Sequence, residues 1–124
     1  MFEIMDESGG SVLGLRATGH ITRADYDELT LICEDLISRV GQIEMLIDMK
    51  GFELEEPSAW RADFHFGREF HNKIQRMAIV GDMRWEAWMA DFCRHFYAVE
   101  SRFFHNSDII AAWDWLREPE ELAA

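Results

Sequence analysis

Few side chains in this sequence combine a reactive type with a productive spacing. Cys93 and His95 supply a thiol and an imidazole two positions apart, the components of a nucleophile and its base. On a helix, residues two apart project roughly 200° from each other, so this pair cannot meet. His65 and His71 are six apart, whereas two helical histidines share a metal at separations of three or four. The patterns HExxH, GxGxxG and GxSxG and the P-loop are all missing. Two acidic clusters, Asp25-Asp27-Glu28 and Glu53-Glu55-Glu56, hold carboxyls of the type used in acid–base work. Both fall at expected helix starts, where carboxylates complement the helix dipole, and nothing in their spacing selects a pair. The reading is of a chain without catalytic residues, metal ligands or cofactor, with an unrecognised enzyme as the remote alternative.

What remains is aromatic. A helix expected over residues 57–72 places Trp60, Phe64 and His71 toward one side and Phe66 and Phe70 toward another. A second, over residues 84–96, carries Trp85, Trp88, Met89, Phe92 and Phe96 in one stripe. Plain core is one account, since each buried aromatic removes roughly 150–250 Å² from water. The other is an apolar pocket between the two helices. Its walls would be Trp60, Phe64, Phe66, Phe70, Trp85, Trp88, Met89 and Phe92, and its occupant a small apolar or lipid-like molecule. Arg61, His65 and Arg68 would meet a carboxylate or phosphate head group at the mouth. The same aromatic surface could instead join two copies or bind a protein partner.

Charge narrows the partners. Twelve Lys and Arg against 24 Asp and Glu give a net −12, which repels nucleic-acid phosphates. The imbalance is uneven: residues 1–60 carry −9, residues 61–105 carry +1 and residues 106–124 carry −4. Peripheral contact with an anionic membrane would therefore run through Arg61, Arg68, Lys73 and Arg76, and would be weak and salt-sensitive. No apolar run reaches the roughly 20 residues of a membrane span, and no secretory leader is visible. Cys33 and Cys93, far apart, read as reduced thiols of a cytoplasmic protein.

These side chains have to be positioned by a fold that the pattern spells out. With 124 residues, 48% of them hydrophobic, the chain suits a single domain spanning 1–124. Residues 2–6 and 11–18 read as a hairpin across Glu7-Ser8-Gly9-Gly10, with Gly19 ending the second strand. Thr22 and Asp25 have the spacing of a helix start, Gly41 sits at the stop, and Tyr26, Leu29, Cys33 and Leu36 lie on the inner face. Residues 43–49 read as a buried strand and 50–56 as a loop. Pro57 opens the helix over 57–72. Residues 75–80 read as a strand, 84–96 as a helix and 99–104 as a strand. A last helix starts at Asn106 or Ser107 and stops at Pro119. The order ββαβαβαβα implies an α/β domain with a mixed, mostly parallel five-stranded sheet covered by helices.

Several stretches in that order are familiar together. They are Gly19-His20-Ile21-Thr22 leading to Asp25-Tyr26, Leu46-Ile47-Asp48-Met49 before Gly51-Phe52, and Arg76-Met77-Ala78-Ile79-Val80-Gly81-Asp82. Trp85-x-x-Trp88 and Phe103-Phe104 followed by Ala111-Ala112-Trp113-x-Trp115-Leu116 complete the set. The chain resembles the SpoIIAA-like proteins, bacterial relatives of the STAS domains of anti-sigma-factor antagonists. The resemblance implies a STAS-type fold without established catalysis, similar in shape to lipid-carrying CRAL-TRIO domains, with ligand binding and membrane association as the associated expectations. Regulatory antagonists place a phosphorylatable serine after the third strand, in an Asp-Ser-Ser-Gly-like turn. Here the matching stretch offers only Ser58, behind Glu53, Glu55 and Glu56, where a phosphate would meet like charge, so that switch is expected to be absent.

Overall fold

The computed structural model describes residues 1–82 and 97–118. Strand β1 (Phe2–Ile4) pairs antiparallel with β2 (Val12–Ile21), Phe2 opposite Ala17. Strands β3 (Ile43–Glu55), β4 (Ile74–Gly81) and β5 (Glu100–His105) follow in spatial order, each parallel to the strand before it. Helix α1 (Arg23–Val40) links β2 to β3, and a 3₁₀ turn at Pro57–Ala59 leads into α2 (Trp60–Phe70), which returns the chain to β4. After β5, a 3₁₀ turn at Asn106–Asp108 opens into α3 (Ile109–Arg117). The mixed, mostly parallel five-stranded α/β sheet expected from the sequence is the one observed. None of the helices described is long and apolar enough to cross a membrane.

Local chemistry sets the element ends. The Thr22 hydroxyl accepts from the Asp25 backbone N–H at 3.2 Å, and the Asp25 carboxylate accepts from the Thr22 N–H at 2.8 Å, a reciprocal cap that starts α1. Gly41 ends it at φ 89°, a conformation that favours glycine. Asn106 and Ser107 belong to the 3₁₀ turn instead of capping α3, and that turn is capped by His105, whose Nδ1 accepts from the Ser107 N–H.

Two strands run longer than their composition suggests. Gly19 does not end β2: it adopts φ 64° at a register shift, and the strand continues to Ile21. Residues 50–55 are not a loop either. Gly51 pairs with Thr18 inside the sheet, where a Cβ would stand 3.2 Å from the Thr18 Cγ2, so this glycine permits close strand approach instead of breaking the strand. The consequence is that β3 carries Glu55 to the sheet's end. The helix expected over 84–96 and the stop at Pro119 lie outside the described residues.

Parallel strands alternate between two covered faces. On one, Leu13 and Leu15 of β2, Ile43 and Met45 of β3, and Met77 and Ile79 of β4 pack under α1 and α2. On the other, Val12, Leu46, Ala78 and Val80 meet Ala112, Trp113 and Leu116 of α3. Arg76 anchors α3. Its guanidinium, buried on β4, donates to the Trp115 carbonyl at 2.7 Å and the Glu118 carbonyl at 3.0 Å, satisfying orphan acceptors at the helix end. Arg76 is therefore not part of the surface charge that a membrane would attract.

Trp113 lies directly over Gly14, and a Cβ at Gly14 would fall within the indole's van der Waals radius. Gly14→Ala is therefore expected to displace α3 and to cost about 1–3 kcal/mol, measurable by urea unfolding. A variant as stable as the parent would show that α3 does not depend on this contact.

Candidate functional site

Cover over the first face is uneven. Along β3, Ile43 and Met45 are fully buried, but Ile47 and Met49, pointing the same way, are only half-buried. At the carboxyl ends of β2, β3 and β4 a cleft of about 450 Å³ opens beside α1 and α2, although Ala17, Ile21, Met77 and Ile79 on its floor stay buried. Ala17, Ile21, Ile47, Met49, Met77 and Ile79 form its floor, with Leu29 and Phe66 on the helical side. Trp60, 63% exposed, stands at its rim.

Four polar side chains converge on one wall of this apolar space. Tyr26 arrives from the buried face of α1, Glu55 from the last position of β3, Asp63 from the first turn of α2, and Tyr97 from the segment before β5. The Tyr26 hydroxyl donates to Glu55 Oε2 at 3.2 Å, and the Tyr97 hydroxyl donates to Asp63 Oδ1. Both carboxyls line the same cleft, and each acts on the titration of the other. Glu55 Oε1 is buried without a hydrogen-bond partner among the described residues. Two ionised carboxylates would face each other as acceptors, so a proton shared between them is the arrangement that satisfies both.

The titration of these groups follows from that geometry. Burial, then the hydrogen bond and charge of Asp63, push the Glu55 carboxyl up to about 8, while the Tyr26 hydroxyl pulls the other way. Burial also raises Asp63, against the hydrogen bonds from Glu55 and Tyr26. Burial first, then the nearby charges of Asp63 and Glu55, hold the Tyr26 phenol protonated far above its ordinary range. The site is an acid pair braced by two tyrosines, able to donate one proton or to accept a cation. Cys33, by contrast, is a buried thiol pushed up to about 12 by desolvation and by Glu69 and Glu34, and lies apart from the cleft lining.

The aromatic candidates divide. Trp60 and Phe66 line the cleft. Phe70 is buried in the core against Phe66, with ring centroids 4.8 Å apart. Phe64 is 55% exposed, outside the cleft lining, with the Arg68 guanidinium 5.9 Å above its ring. Arg61 and His65 line a separate polar groove between α1 and α2, with Arg23, Asp27, Ser58 and Glu69. They do not stand at the mouth of the apolar cleft. Trp85, Trp88, Met89 and Phe92 lie outside the described residues.

Sequence reasoning passed over Glu55 and Asp63 as a pair because eight positions and a Pro57 turn separate them. One signal was available. Ala59, Asp63, Phe66 and Phe70 fall on one helical stripe, and all but Asp63 are buried apolar residues. An acid on such a stripe needs a partner.

Comparison with known proteins gives the family of the chain. The SpoIIAA-like family model matches residues 12–117, and the chain belongs to the SpoIIAA-like family. An uncharacterised protein of the DUF3478 family with a SpoIIAA-like fold, from Shewanella loihica PV-4, is 25% identical over 94% of this chain and 92% of its own, with a TM-score of 0.76. No curated protein matches the sequence.

The acid pair makes stability depend on pH with a definite sign. Glu55 and Asp63 both titrate higher in the folded protein than in the unfolded chain, so the folded state holds more protons. The stabilisation is complete below the ordinary carboxylate range and is lost as pH rises toward about 8, where Glu55 ionises. Glu55→Gln keeps a donor for Asp63 and cannot ionise. It is expected to flatten the decline in Tm between pH 5 and pH 8 and to be more stable than the parent at pH 8. The gain should be about 1 kcal/mol, because solvent reaches part of the group. Parallel Tm curves for parent and variant would contradict the shared proton.

Proposed function

We propose that this protein is a non-catalytic binding module that holds a small apolar molecule in the cleft between the sheet and helices α1 and α2. The observation that carries this reading is the half-buried state of Ile47 and Met49. A central parallel strand normally has both faces covered, yet here its apolar side chains line open space of ligand-sized volume. Adaptable Met49 and Met77 suit an occupant of variable shape. Trp60 and Leu54, apolar and exposed beside the opening, are the residues through which the module would touch a lipid surface.

A second reading rests on the same exposed side chains. Trp60, Phe64 and Leu54, at 63%, 55% and 43% exposure, would be covered in a homodimer or a complex with a protein partner. The two readings make opposite demands on the cleft, because only the first requires its interior to be filled by a small molecule.

The uncharged fluorophore N-phenyl-1-naphthylamine tests this. It should bind with enhanced emission, and Ile47→Trp, which projects an indole into the cleft, should weaken binding at least tenfold without lowering Tm. Leu31→Trp, on an exposed position of α1 outside the cleft lining, should leave binding unchanged. Equal binding by parent and Ile47→Trp would remove the cleft as the site and favour the surface reading.

A further inference from the structure

The geometry points to an amine: the occupant of the cleft is an apolar molecule with a protonated nitrogen, seated against the Glu55–Asp63 pair. This inference rests on the reading of the cleft as a ligand site and adds the chemistry of the ligand's polar end. The polar side chains that the described residues contribute to the lining are Tyr26, Glu53, Glu55, Asp63 and Tyr97, three acids and two phenols. The described lining contains no lysine, arginine or histidine. Against the described lining a carboxylate or phosphate head group would meet like charge. An ammonium would meet two acceptors held in place from two different elements, and Glu55 Oε1 has no hydrogen-bond partner among the described residues.

The bracing is suited to that task. Tyr26 and Tyr97 each donate to a different carboxyl, which fixes the two acids while leaving further lone pairs for an incoming N–H. An alkyl or aryl body would lie along Ile47, Met49 and Ile79, away from the acids' desolvating wall. Binding of an ammonium replaces the proton that the pair shares when empty, so affinity for it rises with pH through the range in which Glu55 ionises. Among the described residues, Tyr26 from α1 and Asp63 from α2 act on Glu55, and Tyr97 and Glu53 share its lining. His20 stands outside this set, with its ring nitrogens 3.8 Å from Glu53 and Glu56.

Three probes of equal chain length separate the contributions: n-octylammonium, n-octanol and n-octanoate, each below its micelle concentration, titrated calorimetrically at pH 6 and pH 8. At pH 8 the ammonium should bind at least tenfold more tightly than the alcohol, and octanoate more weakly than either. The preference for the ammonium should shrink at pH 6. Glu55→Gln, and independently Asp63→Asn, should bring the ammonium-to-alcohol ratio toward one, with folding checked by circular dichroism. Octanol binding as tightly as the ammonium, or octanoate binding best, would overturn the amine inference and leave the cleft reading standing. Failure of all three to bind would overturn both.

Discussion

Strands β2, β3 and β4 are parallel neighbours, and a sheet of that kind has to be covered on both faces. The rest of the molecule follows from how that demand is met. One face is closed by α3, held by Trp113 against Gly14 and by Arg76 at the helix end. The other is covered by α1 and α2, most completely where Ile43, Met45 and Ile74 are fully buried. At the carboxyl-terminal end of that face Ile47 and Met49 stay half-buried and line the cleft, while Ile21 and Ile79 beside them are buried.

Placing an acid pair at the edge of that floor works against folding. Each carboxyl loses hydration, and the two repel unless they share a proton. A domain of this size has only about 5–15 kcal/mol of net stability, so the cost of burying such a pair is a sizeable share of it. Four separate elements contribute to this one: the inner face of α1, the extended end of β3, the first turn of α2 and the approach to β5. That convergence is also why the same pair can respond to pH and to charge, since no single element controls both carboxyls.

Much of the fold was legible because it is written locally. The Thr22–Asp25 cap, the stripe through Tyr26, Leu29 and Cys33, and the stop at Gly41 together define α1 without reference to anything else. The ends of β2 and β3 were misread for a physical reason: Gly19 and Gly51 look like breaks in one dimension, but in the sheet one supplies a left-handed bulge and the other room for Thr18. The site was hidden by the same error. With residues 50–56 taken as a loop, Glu55 became one of three acids at a helix start, and only its place at the end of a strand brings it to Asp63. Arg61 and His65, chosen for their nearness to aromatics in the chain, turn to another groove because the helical stripe facing the cleft runs through Asp63 and Phe66.

The proton shared between Glu55 and Asp63 is what the site depends on, and carbon-13 NMR of the side-chain carboxyls measures it directly. Followed from pH 3 to pH 9 in the ligand-free protein, the Glu55 carboxyl should titrate with a midpoint near 8, and the Asp63 resonance should register the same step. A single ordinary transition for Glu55 near 4.5, with no echo at Asp63, would show two independently solvated acids and remove the basis for a site there.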